Sequence, residues 1–321
     1  IYKNMNKDSV SLVQLKYATA LDNIRNFSRA AEFCHITQPT LSIQLKKLEE
    51  SLDLVIFDRS KNPLIPTASG EIFLARARRV LREMDQLLEE VDLIKEDIQG
   101  EITIGVIPTL APYLVPAFIG EFAQQFPGLK IRVEELLTLS IIDELKRDRI
   151  DVGLLVGPVL NSQVHLQPLF YEEIMVYLNA KHPLMEESEI DVLQLQSEDL
   201  WILGEGHCFR DQILNLCTLR NKTNSRSISY ESGSLETLKR LVDIEGGFTL
   251  LPELSVHAMS PSSRKKIRRI EGVKPLREVS LATARSFNKR RIIDILGAFI
   301  SESVPKSMLD AGRGKVVEWK S

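Results

Sequence analysis

The chain reads as an α/β protein with a separate, mostly helical N-terminal module, and three observations carry that reading. Short helical patterns ending in a hairpin occupy residues 11–66, an unbroken heptad pattern follows over 68–98, and strands alternate with helices from Glu101 onward. The 321 residues accommodate two domains of roughly 150 residues each and a short extra module. A hydrophobic share of 44% with 26% charged residues excludes a disordered, collagenous or disulfide-scaffold chain. The formal charge of −3 excludes nucleic-acid binding by bulk positive charge. Three cysteines are too few, and odd in number, for a secreted disulfide framework. Val152–Leu160, among the longest apolar runs, has the length of a buried strand, not of a membrane span. With no charged-then-apolar leader, the cytosol is the expected compartment and no membrane partner is expected.

Each element follows from local chemistry. Leu12, Leu15, Tyr17 and Leu21 give a first amphipathic helix, and Ser28 is placed to cap a second over Ser28–Glu32. Ile36–Thr40 is a tight break before a third helix, Gln38 to about Ser51, with Leu41, Leu45 and Leu48 on one face; Pro39 is tolerated in its first turn. Leu54–Phe57 and Leu64–Ile65 flank the charged tip Asp58–Pro63 of a hairpin. This order is that of a winged helix-turn-helix, assigned to residues 1–67. Phe73, Ala77, Val80, Met84, Leu87, Val91, Ile94 and Ile98 alternate steps of four and three, so residues 68–99 are predicted as a linker helix that pairs with a second copy. A single amphipathic helix lying on its own domain is the alternative. Residues 100–305 then read as two lobes around a cleft. Strands at 102–106, 130–136 and 152–156 alternate with helices at 113–125 and 140–147, as in a parallel sheet. A second unit after Pro168 holds elements at 174–178, 201–203, 228–230, 235–242 and 249–251 and a helix from Cys208. The polar tail 306–321 is assigned no structure.

A helix-turn-helix reads bases with the start of its second helix while nearby side chains hold phosphates. Here that stretch presents Thr37, Gln38, Pro39, Thr40, Ser42 and Gln44, with Arg59 and Lys61 on the hairpin tip for the flanking backbone. Taken singly, Thr37 is a helix cap and Arg59 a solvated charge; taken together, these residues favour double-stranded DNA as partner. Phe27–Glu32, Thr37–Ser42, Leu48-Glu49, Phe57-Asp58-Arg59 and Thr67–Gly70 closely resemble the N-terminal module of LysR-type transcriptional regulators, and the resemblance runs through nearly the whole chain. It implies a two-lobed, periplasmic-binding-protein-like effector domain, a dimer formed through the linker helix, tetramers on promoter DNA, RNA polymerase as a further partner, and an inducer held between the lobes.

Gly204–Gln212 is the most informative segment. Cys208 follows a glycine-containing turn and sits at a helix start, where the helix dipole, His207 and Arg210 are expected to favour thiolate. A reachable thiolate is what peroxide oxidises. Cys217 lies nine residues on, and on an unbroken helix that is a rise of roughly 13.5 Å with the thiols on opposite faces. A disulfide needs Cα atoms within about 7 Å, so bonding requires the helix to unwind. Two unrelated cysteines in a core remain an alternative at this level. A zinc site lacks ligand spacing, and a cysteine hydrolase lacks a recognisable base among His165, His182 and His257. Neither a metal nor another cofactor is expected.

Gly-His-Cys-Phe-Arg-Asp-Gln with its second cysteine, Ile107-Pro108-Thr109, Tyr230–Leu238 and Gly247–Pro252 resemble the peroxide-sensing branch of the LysR-type family. The resemblance implies a peroxidatic Cys208, a resolving Cys217, a peroxide pocket of Thr109, Thr138, His207 and Asp211, and a thiol reductant that resets the switch. It also implies an arginine supporting the thiolate late in the domain; Arg277 is nearest, but Glu278 fits the alignment equally well. Cys34, beside Phe33 and Ile36, reads as core packing. The expected function is a redox-switched, non-enzymatic regulator activated by hydrogen peroxide. A metabolite-induced regulator with Thr109 and Thr138 lining the cleft, and a thiol peroxidase, are the other readings.

Overall fold

The computed structural model describes residues 10–61, 63–94, 99–157, 164–195, 199–217, 233–272, 274–284 and 290–318. They form two compact units.

The first is the winged helix-turn-helix with the long helix that follows it. Helix α1 (Leu12–Ile24) opens with a capping box, in which the Ser11 hydroxyl accepts from Gln14 N–H and the Gln14 side chain accepts from Ser11 N–H. Helix α2 (Phe27–Phe33) is capped by Asn26, whose Oδ1 accepts from Arg29 N–H at 3.0 Å. The cap expected at Ser28 is therefore corrected: Asn26 supplies the oxygen two residues earlier, and the Ser28 hydroxyl is left to donate to Gln38 Oε1 at 2.8 Å. Helix α3 (Gln38–Leu52) is capped by Thr37, with Pro39 in its first turn. Leu41, Leu45 and Leu48 close the core with Ala18, Leu21, Ala30 and Ala31. Strands β1 (Phe57–Asp58) and β2 (Ile65–Pro66) pair antiparallel as the wing. Cys34 ends α2 and is half-buried, so it borders the core instead of filling it.

Helix α4 (Ala68–Ile94) spans 27 residues, about 40 Å. Its heptad seam divides. Leu74 belongs to the core of the module, Phe73 packs on that core and Ala77 is buried, whereas Val80 is 47% and Leu87 55% exposed. The side chains of Val91 and Ile94, and all of Ile98, lie outside the described residues.

The second unit contains β3 (Gly100–Val106), α5 (Ala111–Gln125), β4 (Leu129–Glu135), α6 (Thr138–Lys146), β5 (Val152–Gly157), β6 (Val164–Leu178), β7 (Glu189–Ile190), α7 (Cys208–Leu216), α8 (Leu235–Glu245), β8 (Phe248–Pro252), α9 (Glu253–His257), α10 (Pro261–Arg264), β9 (Ile267–Ile270), β10 (Pro275–Ala284), α11 (Arg290–Glu302) and β11 (Lys315–Val316). Among the described residues the strands follow the order β4-β3-β5-β10-β6-β9-β7, with β8 beside β6 and β11 beside β10. Among the strands expected from sequence, parallel pairing holds for β4-β3-β5; the short pairs β7–β9 and β10–β11 are parallel too. The long strands β10 and β6 run antiparallel to each other, and β10 is antiparallel to β5. Strand β6 begins well before Ile174 and passes straight through Pro168. Its missing N–H is accommodated by a register shift, with Val279 opposite Phe170 and Ser280 opposite Pro168. Residues 201–203 form no strand; they follow an isolated bridge from Leu200 to Phe248, with Trp201 N–H donating to Phe248 O at 2.8 Å. The element expected at 228–230 lies outside the described residues.

Around β6 and β8 packs a core of Ile174, Val176, Leu178, Trp201, Phe209, Ile213, Leu238 and Phe248, and Cys217 belongs to it. The tail, assigned no structure from sequence, carries regular structure within residues 306–318: β11 adds parallel to the start of β10, Lys315 opposite Pro275 and Val316 opposite Leu276. The polar composition of 306–321 concealed this because a two-residue edge strand needs only backbone donors and acceptors. No described helix is long and apolar enough to cross a membrane.

Candidate thiol site

A narrow crevice in the second unit is lined by Ile107, Pro108, Thr109, Leu137, Thr138, Gly206, His207 and Cys208. Three chain segments supply it. Thr109 follows the end of β3, Thr138 opens α6, and Cys208 is the first residue of α7, with His207 as the residue that caps it. Gly206 adopts φ +86°, and a Cβ there would stand 3.1 Å from Leu137 Cδ1; only glycine allows this turn at low cost. It delivers His207 and Cys208 to the crevice.

The decisive cation comes from far along the chain. The Arg277 side chain is wholly buried. Its Nε donates to Glu172 Oε1 at 2.6 Å, Nη1 to Thr109 Oγ1 at 3.0 Å and Nη2 to Thr109 O at 3.2 Å. Its guanidinium carbon lies 5.1 Å from the centre of the Phe209 ring, next in chain to Cys208. Arg277 and Glu172 are direct cross-strand partners on β10 and β6. Successive residues of a strand face opposite sides, which separates Arg277 from Glu278: Glu278 Oε1 accepts from the Ser280 hydroxyl on the other side. Glu172 was missed in the sequence, where its one sign was a Glu-Glu pair inside the apolar run Leu169–Leu178.

Burial pushes the Cys208 thiol above its ordinary range. The Thr138 hydroxyl, the Arg277 charge and the Phe209 N–H pull the other way, while Asp211 adds to the rise. The Thr138 hydroxyl finds no hydrogen-bonding nitrogen or oxygen among the described residues, and it faces the sulfur. The expectation of a thiolate favoured by His207 and Arg210 is thus corrected. Burial holds His207 below its usual range, so its imidazole is neutral at pH 7, and Arg210 turns its Nη1 to Leu203 O at 2.7 Å. Burial also raises Asp211; it sits in the first turn of α7 but does not line the crevice.

Cys217 closes α7, its N–H donating to Ile213 O at 2.9 Å. Helix α7 is unbroken between the two cysteines, and both are free thiols. Cys217 is buried in the apolar core, which pushes its thiol up to about 12.

In the first unit, Thr37, Gln38, Pro39 and Thr40 are exposed at the start of α3, and Ser42 and Gln44 are half-buried. Gln44 Oε1 accepts from Gln14 Nε2 at 3.4 Å. Arg59 is not simply a solvated charge: it pairs with Glu49 at 2.9 Å and lies 5.5 Å from the Phe27 ring centre, while Lys61 beside it is exposed.

Residues 12–71 match the profile described as "Bacterial regulatory helix-turn-helix protein, lysR family", and residues 95–302 match "LysR substrate binding domain". The chain belongs to the LysR family. It is a DNA-binding, oligomerising transcription regulator, not an enzyme. Among its relatives in the family, a Haemophilus influenzae "Hydrogen peroxide-inducible genes activator" is 32% identical over 94% of this chain and 99% of its own. The Escherichia coli "DNA-binding transcriptional dual regulator OxyR" is 34% identical over 80% of this chain and 82% of its own. A full-length OxyR variant from Pseudomonas aeruginosa superposes with a TM-score of 0.78 at 34% identity, covering 91% of this chain and 94% of that one. A Corynebacterium glutamicum OxyR variant solved with hydrogen peroxide bound gives 0.60 at 26% identity, over 91% and 92% of the two chains.

Proposed function

We propose that this LysR-family regulator is switched by hydrogen peroxide through Cys208 and Cys217. The observation that carries this is one helix with a thiol at each end: Cys208 in a crevice with Thr138, Thr109 and Arg277, and Cys217 in the apolar core. Thr109 Oγ1 already accepts from Arg277, so its own hydrogen is available to a ligand. Arg277 and Thr138 favour the thiolate in an otherwise unfavourable burial. The thiolate sulfur attacks one peroxide oxygen, the O–O bond breaks, and the leaving hydroxide takes the proton released by the thiol and departs as water. His207, neutral and lining the crevice, relays that proton. Unwinding of α7 then lets the Cys217 sulfur displace hydroxide from the sulfenic acid, forming S–S and a second water. Two thiols are oxidised and one peroxide is reduced.

Remodelling of α7 changes promoter contacts through an oligomer built on residues 68–98, a dimer that doubles to a tetramer. Thr37, Gln38, Pro39, Thr40, Ser42 and Gln44 read bases or phosphates, with Lys61 on the flanking backbone and Arg59 positioned there by Glu49. RNA polymerase is the downstream partner, a cytosolic thiol reductant resets the pair, and no metal or cofactor takes part.

The test is peptide mass spectrometry of the reduced protein after a brief stoichiometric pulse of hydrogen peroxide. A Cys208–Cys217 link with loss of two hydrogens is expected. Absence of any oxidation at Cys208 at low peroxide overturns the proposal and leaves a metabolite-induced regulator.

A further inference from the structure

The C-terminal tail makes contacts that the switch reading does not use. Arg313 pairs with Glu253 at 2.9 Å. Lys315 N–H then donates to Lys274 O and Val317 N–H to Leu276 O, both at 2.8 Å, fastening the tail to the strand that carries Arg277. From there it crosses to the other side of the site. Val317 O accepts from Gln212 Nε2 at 2.8 Å and Glu318 O accepts from Asn215 Nδ2 at 2.9 Å, both on α7. Gln212 is wholly buried and one turn from Cys208, and the Val317 side chain packs on the core that holds Phe209, Ile213 and Cys217. Residues 313–318 thus tie the helix between the two cysteines to the strand that holds Arg277.

Bonding of Cys208 to Cys217 requires α7 to unwind, and unwinding removes Gln212 and Asn215 from the tail carbonyls. We infer that the tail, with Gln212 and Asn215 as positioning residues, is a clamp that holds α7 helical in the dithiol state and sets how readily the disulfide forms. This rests on the disulfide-switch reading. The clamp acts on the second chemical step only. It touches neither the Cys208 sulfur nor the crevice residues, so attack on peroxide proceeds at its own rate, whereas displacement of hydroxide by Cys217 waits for the tail to release.

The experiment compares the full chain with a variant ending at Gly314. Two readouts are taken: the rate of Cys208–Cys217 disulfide formation after a peroxide pulse, and the dithiol/disulfide midpoint potential in a glutathione buffer. Losing two side-chain-to-carbonyl hydrogen bonds from the dithiol state is expected to favour the disulfide about tenfold, a midpoint roughly 30 mV more negative. In a Cys217→Ser background, the rate of sulfenic acid formation at Cys208, trapped with dimedone, is expected to stay unchanged. Two full-length variants serve if the shortened chain does not fold. Asn215→Ala removes one contact. Gly314→Val disturbs the docking itself, because a Cβ at Gly314 would lie 2.4 Å from Lys274 O. Disulfide formation that is unchanged or slower, at an unchanged potential, overturns the clamp while leaving the switch intact. Absence of the disulfide in wild type and variants alike overturns the switch reading and the clamp with it.

Discussion

At the scale of single residues, Arg277 does two jobs. It offsets part of the burial that raises Cys208, and it neutralises the fully buried Glu172. Arg277→Ala is therefore expected to raise the Cys208 thiol further and to leave an uncompensated carboxylate, destabilising the fold by about 3–5 kcal/mol. Thiolate absorbance against pH and a denaturant titration read these two effects, and Arg277→Ala/Glu172→Gln should recover much of the stability but not the reactivity. Because the Cys208 thiol lies above its ordinary range, its oxidation rate should climb about tenfold per pH unit from pH 6 to 8. A rate flat across that interval would mean a thiolate already formed. In the other unit, Gln38 is exposed at the start of α3, and Gln38→Ala is expected to cost about 1–3 kcal/mol of promoter affinity with relaxed base preference. Footprinting of wild-type and single-base-substituted promoters measures this.

At the scale of elements, α4 and α7 are each built for more than their own packing. Helix α4 spends Phe73 and Leu74 on its own module and leaves Val80 and Leu87 exposed. A Val80→Asp/Leu87→Glu variant should keep the helix-turn-helix folded yet shift sedimentation to a smaller species, and unchanged association would place the oligomer interface elsewhere. Helix α7 has a left-handed glycine before its first turn and a cysteine as its last cap. Its nine-residue spacing was legible because helix geometry is local, whereas its contacts were not. Arg210 was expected to serve the thiol, but the carbonyl it meets, Leu203 O, is brought there by the turn between them.

At the scale of the whole molecule, burial of titratable groups sets a pH window for stability. His207 and His182 are held below their usual range. As pH falls through about 6.5 the unfolded chain takes up protons that the folded one refuses, so stability declines on the acid side. Cys208 and Cys217 are raised, the latter to about 12. Above pH about 8.5 the unfolded thiols release protons that the folded ones keep, and stability declines again. Chemical denaturation of the reduced protein from pH 5.5 to 10 should show both limbs, with the alkaline limb shallower in Cys208→Ser/Cys217→Ser.

What local chemistry encodes was readable without coordinates. Periodicity marked α1, α3 and α4, the glycine-containing turn before Cys208 marked the start of α7, and the order of elements marked a helix-turn-helix followed by an α/β domain. The Ser28 cap was misplaced because Asn26, two residues earlier, is an equally good capping residue and starts the helix first. Pairings between distant segments were beyond local patterning; only the family resemblance pointed to Thr109, Thr138, His207 and Arg277 around Cys208, and nothing pointed to Glu172 or the tail. Arg277 against Glu172 and the tail on β10 are set by sheet register, whereas Arg277 against Thr109 and Phe209, and Thr138 against Cys208, are set by how the loops and helices pack on that sheet. Register is decided by how both faces of β6 and β10 bury their side chains, a property of the folded sheet that no window along the chain contains. Residue types and their local spacing named the groups able to react; the folded sheet sets which charge stands beside the thiol and what holds its helix closed.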